Sequence, residues 1–217
     1  MEDWKAHTAR AAERFRDGSA RLPEDPDSRQ RQLTRMANAA YACGLAHLML
    51  GEHEDAATWL DRAARTYRES YRDAPPGSWG RPIGAVKARL LAGDRPGAEA
   101  DARWTLELGA AESDSPVGRY AACLALCTLA RYGEARLLAD DLRTHEGFPT
   151  EVADALAFIS AGDRVGYAYA AESVLGSFET RDEYLEDLPV ADTVLVLQEL
   201  AAQRDLAAEL ESALLPA

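Results

Sequence analysis

The chain has 217 residues, 47% of them hydrophobic and 7% aromatic, with 24 basic against 37 acidic side chains and a formal net charge of −13. That balance excludes an intrinsically disordered chain, because enough apolar surface is present to build a core. It also argues against nucleic acid or an anionic membrane as partner, since a field of this sign repels both, and in favour of a basic protein.

In chain order, residues 1–17 read as a helix, followed by a linker over 18–27 that contains Pro and Asp. The start, Met1-Glu2-Asp3-Trp4-Lys5, lacks the basic end and apolar core of a signal peptide. The longest apolar stretch, Met36 to Leu50, carries Asn38 and His47 and is too short to span a bilayer. With three cysteines, too few and too odd for a disulfide framework, the expected setting is the reducing cytoplasm.

Asp27 with Gln30 has capping-box spacing and opens the next helix. On it Met36, Ala39, Ala40, Cys43 and Leu50 share one face, and after Gly51 a second face is formed by Ala56, Leu60, Ala63, Tyr67 and Tyr71. Further on, Gly93, Gly109, Gly133, Gly147 and Gly162 punctuate helical runs, while Pro82, Pro116 (after Ser115), Pro149 and Pro189 stand where helices begin. Thr180 with Glu183 offers another capping box, and the acidic run Asp182-Glu183-Tyr184-Leu185-Glu186-Asp187 reads as a helix start favoured by the macrodipole. No stretch alternates like a strand; Val194 to Leu197 lies within a helical pattern. The fold class is all-α.

Aligned on their turns, "LMLGEHEDA" (48–56), "LLAGDRPGA" (90–98), "TLARYGEA" (128–135), "ISAGDRVGY" (159–167) and "ELAAQRDLA" (199–207) share one form, a helix end, a polar turn and a new helix. The spacing, roughly 32 to 42 residues, is that of two-helix repeats, which cannot bury an apolar face alone and must stack. The unit around 40–63 resembles a tetratricopeptide repeat, with Gly44, Gly51, Ala56, Leu60 and Ala63 at the family's small and hydrophobic positions. Ala98 and Ala135 keep the small position and Tyr167 departs from it. The resemblance extends as architecture over about 30–213. It implies a right-handed stack of about five antiparallel helix pairs over 28–217, preceded by the N-terminal helix and linker of 1–27.

In such a stack the first helices line a concave face, here with Asn38, Tyr41, Lys87 and Tyr120. The loop Pro75 to Pro82 displays Trp79 and Arg81, residue types that dominate interface energies; either they meet a partner, or Trp79 fills a seam while Arg81 pairs with a carboxylate. Asp182, Glu183, Glu186 and Asp187 would give a basic partner its strongest local field. Cys43 and His47, and Cys123 and Cys127, are each four apart and could supply zinc ligands if their helices faced one another, but their apolar faces favour core packing. No metal or cofactor is expected, and no nucleophile elbow, zinc-protease helix, phosphate loop or dinucleotide glycine pattern is present.

The C-terminal third resembles the end of the immunity-protein-49 family, in the Gly162-Asp163 turn, the helix at 163–177, the opening Leu188-Pro189-Val190-Ala191 and the ending Leu197-Gln198-Glu199-Leu200-Ala201. That resemblance implies an all-helical antidote to a bacterial polymorphic toxin. The expectation is therefore a non-enzymatic cytoplasmic protein-binding module, monomer or homodimer, that neutralises a basic toxin. The alternatives are a scaffold holding a peptide tail in its groove and, behind it, an all-α enzyme binding a metal or small molecule.

Overall fold

In the computed structural model, which describes residues 2–216, the chain forms α1 (Trp4–Ala20), α2 (Pro26–Met49), α3 (His53–Tyr71), α4 (Gly80–Leu91), α5 (Arg95–Glu107), α6 (Pro116–Thr128), α7 (Tyr132–Leu142), α8 (Thr150–Ala161), α9 (Arg164–Glu179) and α10 (Asp192–Ala202). A short 3-10 turn spans Leu185–Asp187, and no strand occurs among the described residues. None of these helices is long and apolar enough to cross a membrane.

Helix starts are set by short-range chemistry. Asp3, Asp25, Asp94 and Asp163 cap α1, α2, α5 and α9, each carboxylate accepting the N–H three residues on at 2.9–3.0 Å. The cap of α2 is thus Asp25, two residues before the expected box; Asp27 instead accepts from the Gln30 side chain. Correspondingly, α1 runs on to Ala20 and the linker shortens to 21–25. Gly133 falls inside the first turn of α7 rather than ending a helix.

Helix ends repeat one motif. After α2, α4, α6, α8 and α10 the chain takes a left-handed residue at Gly51, Gly93, Ala130, Gly162 and Asp205. The next N–H in each case returns to the carbonyl five residues earlier, as from Glu52 to His47 and from Asp163 to Phe158. In the first four cases a second helix follows at once, making the hairpins α2–α3, α4–α5, α6–α7 and α8–α9. The fifth turn leads to non-helical chain over 206–211, so α10 has no partner helix of its own.

Close approach within the first hairpin is set by Gly44. A Cβ there would stand 2.6 Å from Leu60 Cγ and 3.3 Å from the Ala56 carbonyl. Consecutive helices pack on each other from α1 to α9, and α4, α6 and α8 also touch directly. Two large apolar clusters result, one around Ala40, Tyr41, Leu60 and Tyr67, the other around Leu124, Leu156, Tyr167 and Leu197, with a small third one around Trp79. α4 joins them, giving Ala85 and Ala88 to the first and Val86 and Leu90 to the second.

The C-terminal segment departs most from expectation. Thr180 caps the end of α9, its hydroxyl donating to the Gly176 carbonyl at 3.0 Å, and opens no helix with Glu183. The acidic run is a strap, not a helix start, with Glu186 and Asp187 both at positive φ (55° and 58°). Pro189 stays in extended chain, and α10 begins three residues later. The cause is apolar: Leu188 and Val190 are drawn into the core beside α2 and α3, which holds the preceding backbone open.

Candidate interaction surface

The face built by α2, α4 and α8 is occupied by the chain's own C-terminal segment. α10 packs on α4, α8 and α9, and the 3-10 turn rests on α2. Tyr167 is fully buried and donates its hydroxyl to Gln198 Oε1 at 2.8 Å. Arg204 donates to the carbonyls of Ile159 and Ser160, supplying partners at the open end of α8.

Of the groove residues named from the sequence, Tyr41 and Lys87 are used by that segment, while Asn38 and Tyr120 are engaged by other parts of the chain. Asp192, the first residue of α10, accepts the Tyr41 hydroxyl at 3.1 Å and pairs with the Lys87 ammonium, which also donates to Thr193 Oγ1 at 3.3 Å. Tyr67 donates to Asn38 Oδ1 at 2.7 Å, and the Tyr120 ring lies 5.6 Å from that of Phe148. Burial pushes the Tyr41 hydroxyl well above its ordinary range, and the Asp192 carboxylate adds to this. Burial by itself lowers Lys87, but Asp192, with its charge and hydrogen bond, outweighs it and holds the ammonium above its usual value. A charged lysine, a carboxylate and a neutral tyrosine therefore form an internal lock between α2, α4 and α10.

Trp79 is 8% exposed, packed with Ala110, Ala121 and Ala122 at the seam between α4 and α6. Arg81 donates to Gln30 Oε1 of α2. The loop thus turns both residues inward, to packing. The four candidate zinc ligands do not converge. Cys43 donates to the Thr8 carbonyl at 3.5 Å in the first core cluster, its thiol pushed up to about 12 by burial. Cys123 donates to the Ala135 carbonyl at 3.4 Å and Cys127 contacts Ser160 Oγ at 3.7 Å, both in the second cluster. His47 instead meets Glu52 at 2.7 Å, with Asp55 nearby, at a solvent-facing turn.

The strap over 182–187 is the sequence-named segment that does face solvent. Asp182, Glu183 and Asp187 are exposed, Leu185 among them is 48% exposed, and Tyr184 anchors the strap by donating to the Phe178 carbonyl at 2.7 Å. Glu186 turns back to Arg14 at 2.8 Å.

No family model, curated protein or solved structure matches the chain.

The strap offers three solvent-facing carboxylates around one apolar side chain, one of them, Asp187, standing 3.9 Å from Arg14 Nη2, and its C-terminal end is anchored by the buried Leu188. Sequence reasoning missed Asp192, the residue that organises the lock. One signal was present, for Lys87 is one of only two lysines and lies in α4 between the buried Val86 and Ala88.

Proposed function

We propose that the chain is a non-enzymatic protein-binding module that engages a basic partner through the strap at 182–187, and that it serves inside the cell as an immunity protein against a basic toxin. The single observation that carries this reading is that α10 fills the face where a helical-repeat scaffold would hold a peptide, while the strap leaves its acids and Leu185 in solvent. In this reading the four hairpins form a right-handed tetratricopeptide-like stack, closed by the chain itself.

A net charge of −13 draws a basic partner by long-range attraction, and exposed acids around an apolar contact give register once it arrives. The rival reading, a peptide tail bound by Asn38, Tyr41 and Tyr120, needs side chains that are already engaged beneath α10 or against its neighbours.

The test is co-purification with the product of the adjacent gene, followed by association kinetics. Reversing Asp182, Glu183 and Asp187 together to Lys should slow association by about tenfold or more at low salt. A neighbouring gene without a toxin-like domain, or an association rate untouched by the reversal, would sink the proposal.

A further inference from the structure

A cleft of about 400 Å3 between α1 and α2 gathers three arginines, Arg14, Arg21 and Arg35, and Gln32 against two carboxylates, Asp17 and Glu186. Arg14 on α1 and Arg21 just past its end flank Gly18, while Gln32 and Arg35 lie three apart on α2, so both helices turn one face into the same space. Gly18 keeps the helices close. A Cβ there would stand 2.6 Å from Met36 Cγ and 2.8 Å from Gln32 Nε2.

The cleft's donors exceed its acceptors. Arg21 meets Asp17 only loosely, at 3.6 Å with both side chains mostly in solvent. Arg35 and the Gln32 amide have no ion-pair or hydrogen-bond partner among the described residues. Attraction of cations to the carbonyl end of α1 explains an arginine at position 21, but not Arg35, which projects from the middle of α2.

Arg14 is held chiefly by Glu186, which reaches it at a conformational cost, with Asp187 more loosely placed at 3.9 Å from its Nη2. Glu186 arrives from the strap with φ 55° and is followed by Asp187 with φ 58°. Successive left-handed residues other than glycine persist only where the surroundings hold them. Its carboxylate lies 2.8 Å from Arg14 Nη1, just where an external oxyanion would lie, and Glu186 itself lines the cleft.

We propose that this cleft is a binding site for a small oxyanion, a phosphate or carboxylate group, with Arg14, Arg35 and Gln32 as its donors and Glu186 as an internal stand-in for the ligand. Guanidinium forks suit either group, binding two oxygens at once. Binding exchanges the Glu186 carboxylate for the ligand's oxyanion at Arg14 and supplies acceptors to Arg35 and Gln32. The site does not depend on the strap's role in meeting a protein.

The test is a titration of the 15N-labelled full chain with sodium phosphate and, separately, with sodium succinate, each matched in ionic strength by sodium chloride. Saturable shifts in the α1 and α2 amides are expected with at least one of the two anions, and the anion that produces them gives the ligand group. Arg35→Gln, at an exposed position that leaves the fold intact, should weaken binding about tenfold or more. Glu186→Gln should tighten it several-fold, because an internal competitor is lost. The proposal is overturned if neither anion titrates, if chloride reproduces the shifts, if Arg35→Gln binds as the parent does, or if Glu186→Gln fails to tighten binding.

Discussion

Replacing Asp192 by leucine should unlock the C-terminal helix while leaving the four hairpins folded. The Lys87 side chain is 12% exposed, and Asp192 is its only carboxylate partner among the described residues. Removing one member of a buried ion pair leaves the other charge uncompensated, which costs about 3–5 kcal/mol. At roughly 1.4 kcal/mol per tenfold, local opening of α10 becomes about two to three and a half powers of ten more frequent. Hydrogen exchange of the α10 amides reads this directly, and limited proteolysis across 188–191 reads it independently.

The pH dependence gives a second, signed readout. In the parent, the folded-state pKa of Lys87 is raised, so the pair's contribution is complete below the unfolded lysine value, about 10.4, and fades as pH rises through the folded value. In Asp192→Leu the same ammonium is buried without its counter-charge and its pKa falls. The variant's deficit should therefore shrink as pH rises toward about 10.4. The double variant Lys87→Met/Asp192→Leu removes both charges and should recover most of the loss. A single-variant loss under about 1 kcal/mol, or a double variant as unstable as the single, would refute the lock.

Three further outcomes follow from the geometry. Gly44→Ala should destabilise the first hairpin by about 1–3 kcal/mol in urea unfolding, because the new Cβ meets Leu60 Cγ at 2.6 Å in a filled core. Ala130→Gly should stabilise the chain by roughly 0.5–1 kcal/mol, since Ala130 holds φ 56° where the equivalent turns use Gly51, Gly93 and Gly162; a lower urea midpoint would contradict the turn equivalence. Mutating Asn38, Tyr41 and Tyr120 together to Ala should lower the unfolding midpoint and leave association with a basic partner unchanged, if measured where the variant is still folded. A selective loss of binding would restore the groove as the docking site.

Much of the helical framework was legible because its causes are short-range. A glycine or aspartate at a turn acts on carbonyls and N–H groups within five residues, and an apolar face repeats every three or four, so Gly51, Asp94, Ala56 and Leu60 could be interpreted from their neighbours. Local signals also misled where one residue type serves two ends of a helix. Thr180 looks like a helix opener yet closes α9, because a hydroxyl can donate to a preceding carbonyl as well as accept a following N–H.

Trp79 posed a different limit. A loop tryptophan suits an interface and a seam equally, and only the three alanines surrounding it decide between them. Composition and periodicity by themselves determined that the chain is helical and acidic, since these depend on counts and on neighbours along the chain. Tertiary structure alone decided that α10 packs back on α4, α8 and α9. Lys87 and Asp192 are 105 positions apart, and nothing local records whether a buried ammonium will find its carboxylate in a partner or in its own distant helix.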